Sequence, residues 1–383
     1  MKKLKKLSII FVLFLSVAAQ NIYSQSDDIL FRRHLVVMGW NGLLYGSAFD
    51  YIFGISGTAA AGLPIISAGA CVLVPLFANS SKSMTSNQLL LSSHGQTWGW
   101  AHGFALGALI NGNDLFADKS KAKLTIGLGA ATSIGLGLLG NSLAKNNTDW
   151  SEGRVALYRH YGWVMPITGF CISAAFSDNA RFYGASDLIY GAGGYLLADQ
   201  VSKWHEFTRG DIRSTQMLAV LNGALGLCIF ADSQKDHTLN NVNRDGWLIP
   251  AAGTLLGTAA GELWLRDAKF TNSQGMTTIY AGTGGAIIGL GIDLIANSKN
   301  FTTNYLIPYA TGMGAYVITA ALLKHKNATT GGQTSQHSNH KKDWNFAFMP
   351  QNLFLNSKIK ENGFMMNGQQ VGMQPLFEAS FAF

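Results

Sequence analysis

Apolar stretches of roughly 20 residues, the length that a helix needs to span a hydrocarbon layer, alternate with short polar connections along most of the chain. Ten of them fall near residues 35–55, 57–78, 86–112, 122–144, 152–176, 180–203, 212–232, 246–266, 275–297 and 303–324. Their starts recur about every 30 residues, the mark of one structural unit used repeatedly. Many open on a polar group, as in TSNQ, NTDWSEG, SDNA, TNSQG and TTN. Ser, Thr, Asn and Asp suit that position because their side-chain oxygens accept from the free N–H groups of a first helical turn.

Helix and strand compete openly in one stretch. In LTIGLGAATSIGLGLLG, Leu124 to Gly140, every second residue from Leu124 to Leu138 shares one face of a strand, whereas Gly127, Ala131 and Gly135 share one side of a helix. The neighbours favour the helix. Gly95, Gly99, Gly103 and Gly107 recur at intervals of four; so do Gly253, Gly257 and Gly261, then Ala281, Gly285 and Gly289, and near the start Gly42 and Gly46, with Asp50 at the next step and Gly54 after it. Pairs such as Leu255-Leu256 and Ile287-Ile288 break any alternation.

Glycine in a solvated helix costs about 1 kcal/mol relative to Ala, so such runs make poor soluble helices. Between packed helices the same groove lets two backbones approach closely. The expected fold is therefore mainly α: an array or bundle of about ten Gly-rich, membrane-embedded helices over residues 26–326. The expected helix-packing groove comprises Gly42, Gly46, Gly95, Gly99, Gly103, Gly107, Gly127, Gly135, Gly253, Gly257, Gly261, Gly285 and Gly289.

Composition supports a lipid setting. The chain has 383 residues, of which 48% are hydrophobic and 13% charged, about half the charged share of a typical soluble domain. The net charge of +7 is spread over short connections and forms no continuous basic footprint, which argues against nucleic acid as a partner. The bilayer is the expected partner, together with other envelope proteins or a second copy of the chain.

Both ends of the chain differ from its body. MKKLKK followed by LSIIFVLFLSVAA and QNIYSQS reads as a signal peptide over residues 1–25, which implies export. Asn327 to Lys342 is polar and nearly free of apolar residues, the composition of a flexible linker. Beyond it, residues 343–383 hold WNFAFMP and PLFEASFAF, which alternate at period two and predict a short C-terminal β-hairpin. Phe377, Ala379, Phe381 and Phe383 share one face, and this terminal pattern resembles the sorting signal of outer-membrane β-barrel proteins. That resemblance favours the outer over the inner membrane, and it keeps open a β-barrel in which the apolar stretches are strand pairs.

Candidate chemistry is sparse. Asp50, Asp187 and Asp293, each followed two residues later by Ile, are the recurrent ionisable groups inside apolar segments. Intramembrane carboxylates can line an ion path, or they can bond a neighbouring helix and fix its packing. His94 and His102 lie eight residues apart around Trp98 and Trp100, too far apart for an adjacent-turn metal pair, and read better as part of an interfacial aromatic belt. His160, beside Tyr158, Tyr161 and Trp163, reads the same way. Cys71, Cys171 and Cys228 stand far apart in apolar segments, as small buried hydrophobes do. No order of residues suggests catalysis, and neither a cofactor nor a metal is expected. The expected role is structural or assembly-related, through helix packing, with a membrane conduit using the three aspartates as the alternative.

Overall fold

The computed structural model describes residues 26–78, 84–234, 244–296 and 301–329, together with short strand segments near the C-terminus. The first body contains ten helices among its described residues: α1 (Ser26–Phe53), α2 (Thr58–Ala78), α3 (Ser86–Asn111), α4 (Lys119–Asn146), α5 (Glu152–Phe176), α6 (Ala180–Trp204), α7 (Arg209–Ser233), α8 (Leu248–Leu265), α9 (Asn272–Ala296) and α10 (Phe301–Thr329). Each expected segment lies largely within one of them. The stretch Leu124–Gly140 is helical throughout, inside α4.

The repeating unit is a helical hairpin, twice the length that the segment spacing suggests. The odd-numbered helices begin 57 to 66 residues apart. Each packs most extensively on its even-numbered successor. Docking between hairpins follows one rule: α1 packs on α3 and α4, α3 on α5 and α6, α5 on α7 and α8, and α7 on α9 and α10. The odd helices thus form a continuous inner spine. Each even helix touches its own partner and, from α4 on, the odd helix of the hairpin before.

Local sequence fixes this rule at the polar end. Thr85, Ser151, Thr208 and Thr271 stand at the heads of α3, α5, α7 and α9, and each side-chain oxygen accepts from the backbone N–H three residues on. Gln88, Asp211 and Gln274 complete the reciprocal bond to the capping residue's own N–H. The second residue after each cap then meets the residue preceding the next cap. Asn87 donates to the Trp150 carbonyl at 2.7 Å, while Gly153 lies against the Phe207 carbonyl and Gly210 against that of Phe270, with no room for a side chain. Glycine is required at the last two because a Cβ would enter the next hairpin's backbone.

Glycines close the hairpins from within. Gly95, Gly99, Gly103 and Gly107 of α3 face α4; Gly253, Gly257 and Gly261 of α8 face α7; Gly285 and Gly289 of α9 face α10; Gly42 and Gly46 of α1 face α2. A Cβ on Gly42 would sit 2.6 Å from Ala68 Cα, and one on Gly257 2.5 Å from the Leu218 carbonyl oxygen. On α4 the contacting ridge is offset from the expected one. Gly135 faces open space and Gly127 reaches only Ile52, whereas Gly129, Gly137 and Gly140 meet Trp100, Gln96 and Leu91 of α3. The correction has a simple cause: Thr125, Gly129, Ser133 and Gly137 form a second row of small residues at intervals of four, and this row is the buried one.

The surface is inverted relative to a soluble protein. Ile295 is 87% exposed, Leu294 79% and Leu263 76%, whereas Thr125, Ser133, Thr168, Ser173, Asp211, Ser214, Thr215 and Thr278 are fully enclosed. Five helices are long and apolar enough to cross a membrane: α4, α7, α8 with the turn before it, α9 and α10. Among the described residues of 26–329 there are helices and no strands to serve as barrel staves, which disfavours the barrel alternative. The preference for the outer membrane, which rested on the terminal strand pattern, loses its support with it.

The second unit, residues 332–383, is described by itself. Trp344–Phe348 runs antiparallel to Phe377–Phe381, and Met365–Met366 to Gln369–Gln370. These pairings are sparse backbone segments and do not establish the expected C-terminal hairpin as a packed element. The signal peptide falls on residues outside the described set, as does the linker after Thr329. The first residues assigned to that linker are helical: α10 continues through Asn327, whose amide donates to the Ala268 carbonyl at 2.9 Å.

Candidate functional site

The buried histidines among the described residues lie on the inner helices. His34 on α1, His94 on α3 and His160 on α5 are 3%, 6% and 0% exposed. His94 and His160 each lie nine residues after the capping residue of their helix, a place taken by Met217 on α7. Repetition of the hairpin thus turns equivalent positions toward the spine. His34 Nδ1 bonds Ser93 Oγ of α3 at 2.8 Å. His94 Nε2 and both ring nitrogens of His160 have no hydrogen-bond partner. Buried polar atoms left unpaired cost about 1–3 kcal/mol each, so a structure that keeps several of them has a use for them or fills their surroundings with water.

His94 and His102 are interior residues and do not form a belt at an interface. His94 Nε2 lies against Gly162 of α5, and its ring meets the edge of Tyr195 of α6 at a centroid distance of 6.2 Å. Trp98 stands between the two histidines, 6.4 Å from one ring and 6.5 Å from the other. One turn farther along, His102 Nδ1 pairs with Asp187 Oδ2 of α6 at 2.6 Å, with both side chains mostly enclosed. The carboxylate missing from the neighbourhood of the histidines in sequence is thus supplied by another hairpin, 85 residues away. Deeper in the array, Tyr161 of α5 donates to Glu262 Oε2 of α8 at 2.9 Å, while Glu262 Oε1 is unpartnered.

Cations gather at the polar end of the same spine. Arg159 of α5 lies within electrostatic reach of His94 and of Arg209. Arg213 of α7 feels Arg209, Arg33 of α1 and Arg159, against the single carboxylate of Glu152. Arg209 is 6% exposed and reaches Glu152 at 3.3 Å. Arg213 donates to the Asn272 carbonyl at 3.5 Å. Arg159 has no hydrogen-bond or ion-pair partner among the described residues, and its Nε is enclosed.

The three aspartates do not come together. Asp187 is the partner of His102 on α6. Asp50 is 8% exposed near the end of α1, with Oδ1 unpartnered. Asp293 lies near the end of α9, half-buried. They belong to three hairpins and form no shared path. Among the described residues no group of three metal-ligating side chains converges. Cys171 is buried, Cys71 and Cys228 are half-buried, and all three are free thiols.

Sequence reasoning missed the arginine group because its members stand on three helices spread over more than a hundred residues of chain. One signal was available: aligning the capping residues places His94 and His160 in register. Comparison with known protein families, characterised proteins and solved structures returns no match, and the functional reading stands on these residues.

Proposed function

We propose that the chain is an integral membrane protein whose five hairpins carry a polar interior that passes a polar solute. The observation that carries this reading is the pairing of an apolar exterior with unpartnered His94, Arg159 and His160 on the inner helices. A scaffold gains nothing from enclosing such groups, whereas a solute site needs donors that the protein itself leaves open. The aspartate conduit read from the sequence is replaced here by the inner faces of α3, α5 and α7.

Reconstitution into liposomes tests the proposal, with inorganic phosphate, chloride and protons as probes. Flux of any one that falls at least tenfold in Arg159→Gln supports it. Absence of flux for all three in protein that melts cooperatively overturns it.

The structural or assembly role stays as a second reading, favoured by glycines that point outward. A Cβ placed on Gly62, Gly69, Gly284 or Gly291 would meet nothing within 4 Å, so their helix faces could receive a neighbouring helix. Co-purification of a stoichiometric partner, lost on replacement of Gly284 and Gly291 by Leu, would favour it.

A further inference from the structure

We infer that the His102–Asp187 pair is the proton-carrying centre of the polar interior, and that protons are the solute it passes. The inference names the solute of the reading above and rests on it.

Three observations converge on this pair. The first is its geometry. Asp187 Oδ2 lies 2.6 Å from His102 Nδ1, with the two side chains 18% and 8% exposed. His102 Nε2 makes no hydrogen bond among the described residues. A Cβ on Gly191 of α6 would stand 3.0 Å from Cε1 of the same ring and 3.7 Å from Nε2, so glycine leaves that edge clear of a side chain.

The second observation is a continuous row on α6. Asp187, Gly191, Tyr195, Asp199 and Lys203 recur at intervals of four, a spacing that winds slowly around a helix of 3.6 residues per turn. The row accordingly starts against α3 and ends against α5. Asp187 meets His102, and the Tyr195 ring meets His94 at 6.2 Å and Tyr158 of α5 at 6.3 Å. Tyr158 then donates to Asp199 at 3.0 Å, and Arg154 and Lys203 reach the same carboxylate at 2.9 and 2.5 Å. His94 Nε2 is closed off against Gly162, so the route follows Tyr195. Arg159 of α5 is the further charge that acts on His94.

The third observation is a polar cleft at each end of α6. A cleft of about 180 Å³ includes Ser151, Arg154 and Ser202 in its lining, beside Asp199. One of about 560 Å³ includes Asn111, Asn113, Asp178 and Arg181, beside the head of the helix. Asp187 stands seven residues from Ala180 and twelve from Asp199, about 10 and 18 Å along the axis.

Chemistry selects the proton. Imidazole is the side chain that gains and loses a proton near neutral pH, and carboxylate–histidine chains inside membrane proteins serve as proton relays. Water is the carrier between the clefts and the pair. On uptake an O–H bond of hydronium breaks and an N–H bond forms at His102 Nε2. The imidazolium keeps its Nδ1–H on Asp187, whose negative charge balances it. On release the Nε2–H bond breaks and the proton returns to water on the other side.

Full-length protein in phosphatidylcholine liposomes loaded with a pH-sensitive dye provides the test. A pH step is applied with potassium and valinomycin present to cancel the membrane potential. Wild-type protein should pass protons, and Asp187→Asn and His102→Gln should each slow the flux by about tenfold or more. Tyr195→Phe keeps the ring and removes the one polar group of the α6 row between Asp187 and Asp199, so it should slow the flux several-fold. Asp293→Asn, on α9 away from this row, should leave it unchanged.

Unchanged proton flux in Asp187→Asn protein that melts cooperatively overturns the inference. Where that variant fails to assemble, Tyr195→Phe decides, and an unchanged rate overturns it. An equal loss in Asp293→Asn overturns it as well. Wild-type vesicles that pass phosphate or chloride but no protons refute the inference and leave the solute reading intact; absence of flux for all three ends both.

Discussion

Two glycines five residues apart on α4 should answer the same substitution with opposite signs. A Cβ added to Gly140 would stand 2.5 Å from the Leu91 carbonyl oxygen and 2.7 Å from its carbon. Backbone cannot rotate away as a side chain does, so α3 and α4 would have to part by close to 1 Å, an overpacking that costs about 1–3 kcal/mol. Against this, Gly→Ala gains about 0.4–1 kcal/mol by restricting the unfolded chain, which leaves Gly140→Ala destabilised by about 1–2 kcal/mol. At Gly135 nothing lies within 4 Å, so Gly135→Ala keeps the gain alone. The variants should differ by about 2 kcal/mol. With an unfolding entropy of about 2.1 cal/mol/K per residue over roughly 300 residues, that is about 3 °C in Tm. Thermal melting in one detergent, read by the fluorescence of the nine tryptophans, resolves such a gap. Equal melting temperatures, or a larger loss at Gly135, would refute the assignment of the buried face of α4.

Other side chains make separate predictions. Asp187→Ala strands buried His102 and should cost about 1–3 kcal/mol, whereas Asp187→Asn keeps an acceptor and should cost less; in a double-mutant cycle with His102→Ala, losses that simply add would show that the pair is not coupled. Thr208→Ala removes the cap of α7 and the 2.6 Å bond to the Phe270 carbonyl. It should lower stability by about 1–2 kcal/mol, more than Thr85→Ala, whose hydroxyl makes the capping bond alone; thermal melting of the two variants side by side checks the order.

How legible was this molecule from its residues? Glycine spacing marked the faces of α1, α3, α8 and α9 that close their hairpins, because an interval of four permits one buried row on those helices. It misplaced the face of α4, where glycines occur in two rows two residues apart. Choosing between the rows needs the partner: the Trp100 and Phe104 rings of α3 cover Gly129. Pairing of hairpins was not legible, since it depends on contacts such as that of Gly153 with Phe207, distant in sequence. The polar interior was partly legible. His94, His102 and Asp187 were all visible as unusual residues, yet the bond that joins His102 to Asp187 crosses from one hairpin to the next.

The central claim is that the apolar outer face of the hairpin array meets lipid while the inner spine is polar. Nitroxide labels at Leu256, Ile288 and Ile318, all outward-facing and more than half exposed, test it most directly in membranes, with Cys71, Cys171 and Cys228 first replaced by Ala. The account predicts ready collision with oxygen, which partitions into hydrocarbon, and poor collision with a water-soluble nickel chelate at all three positions. Preferential collision with the nickel chelate at these positions would contradict it.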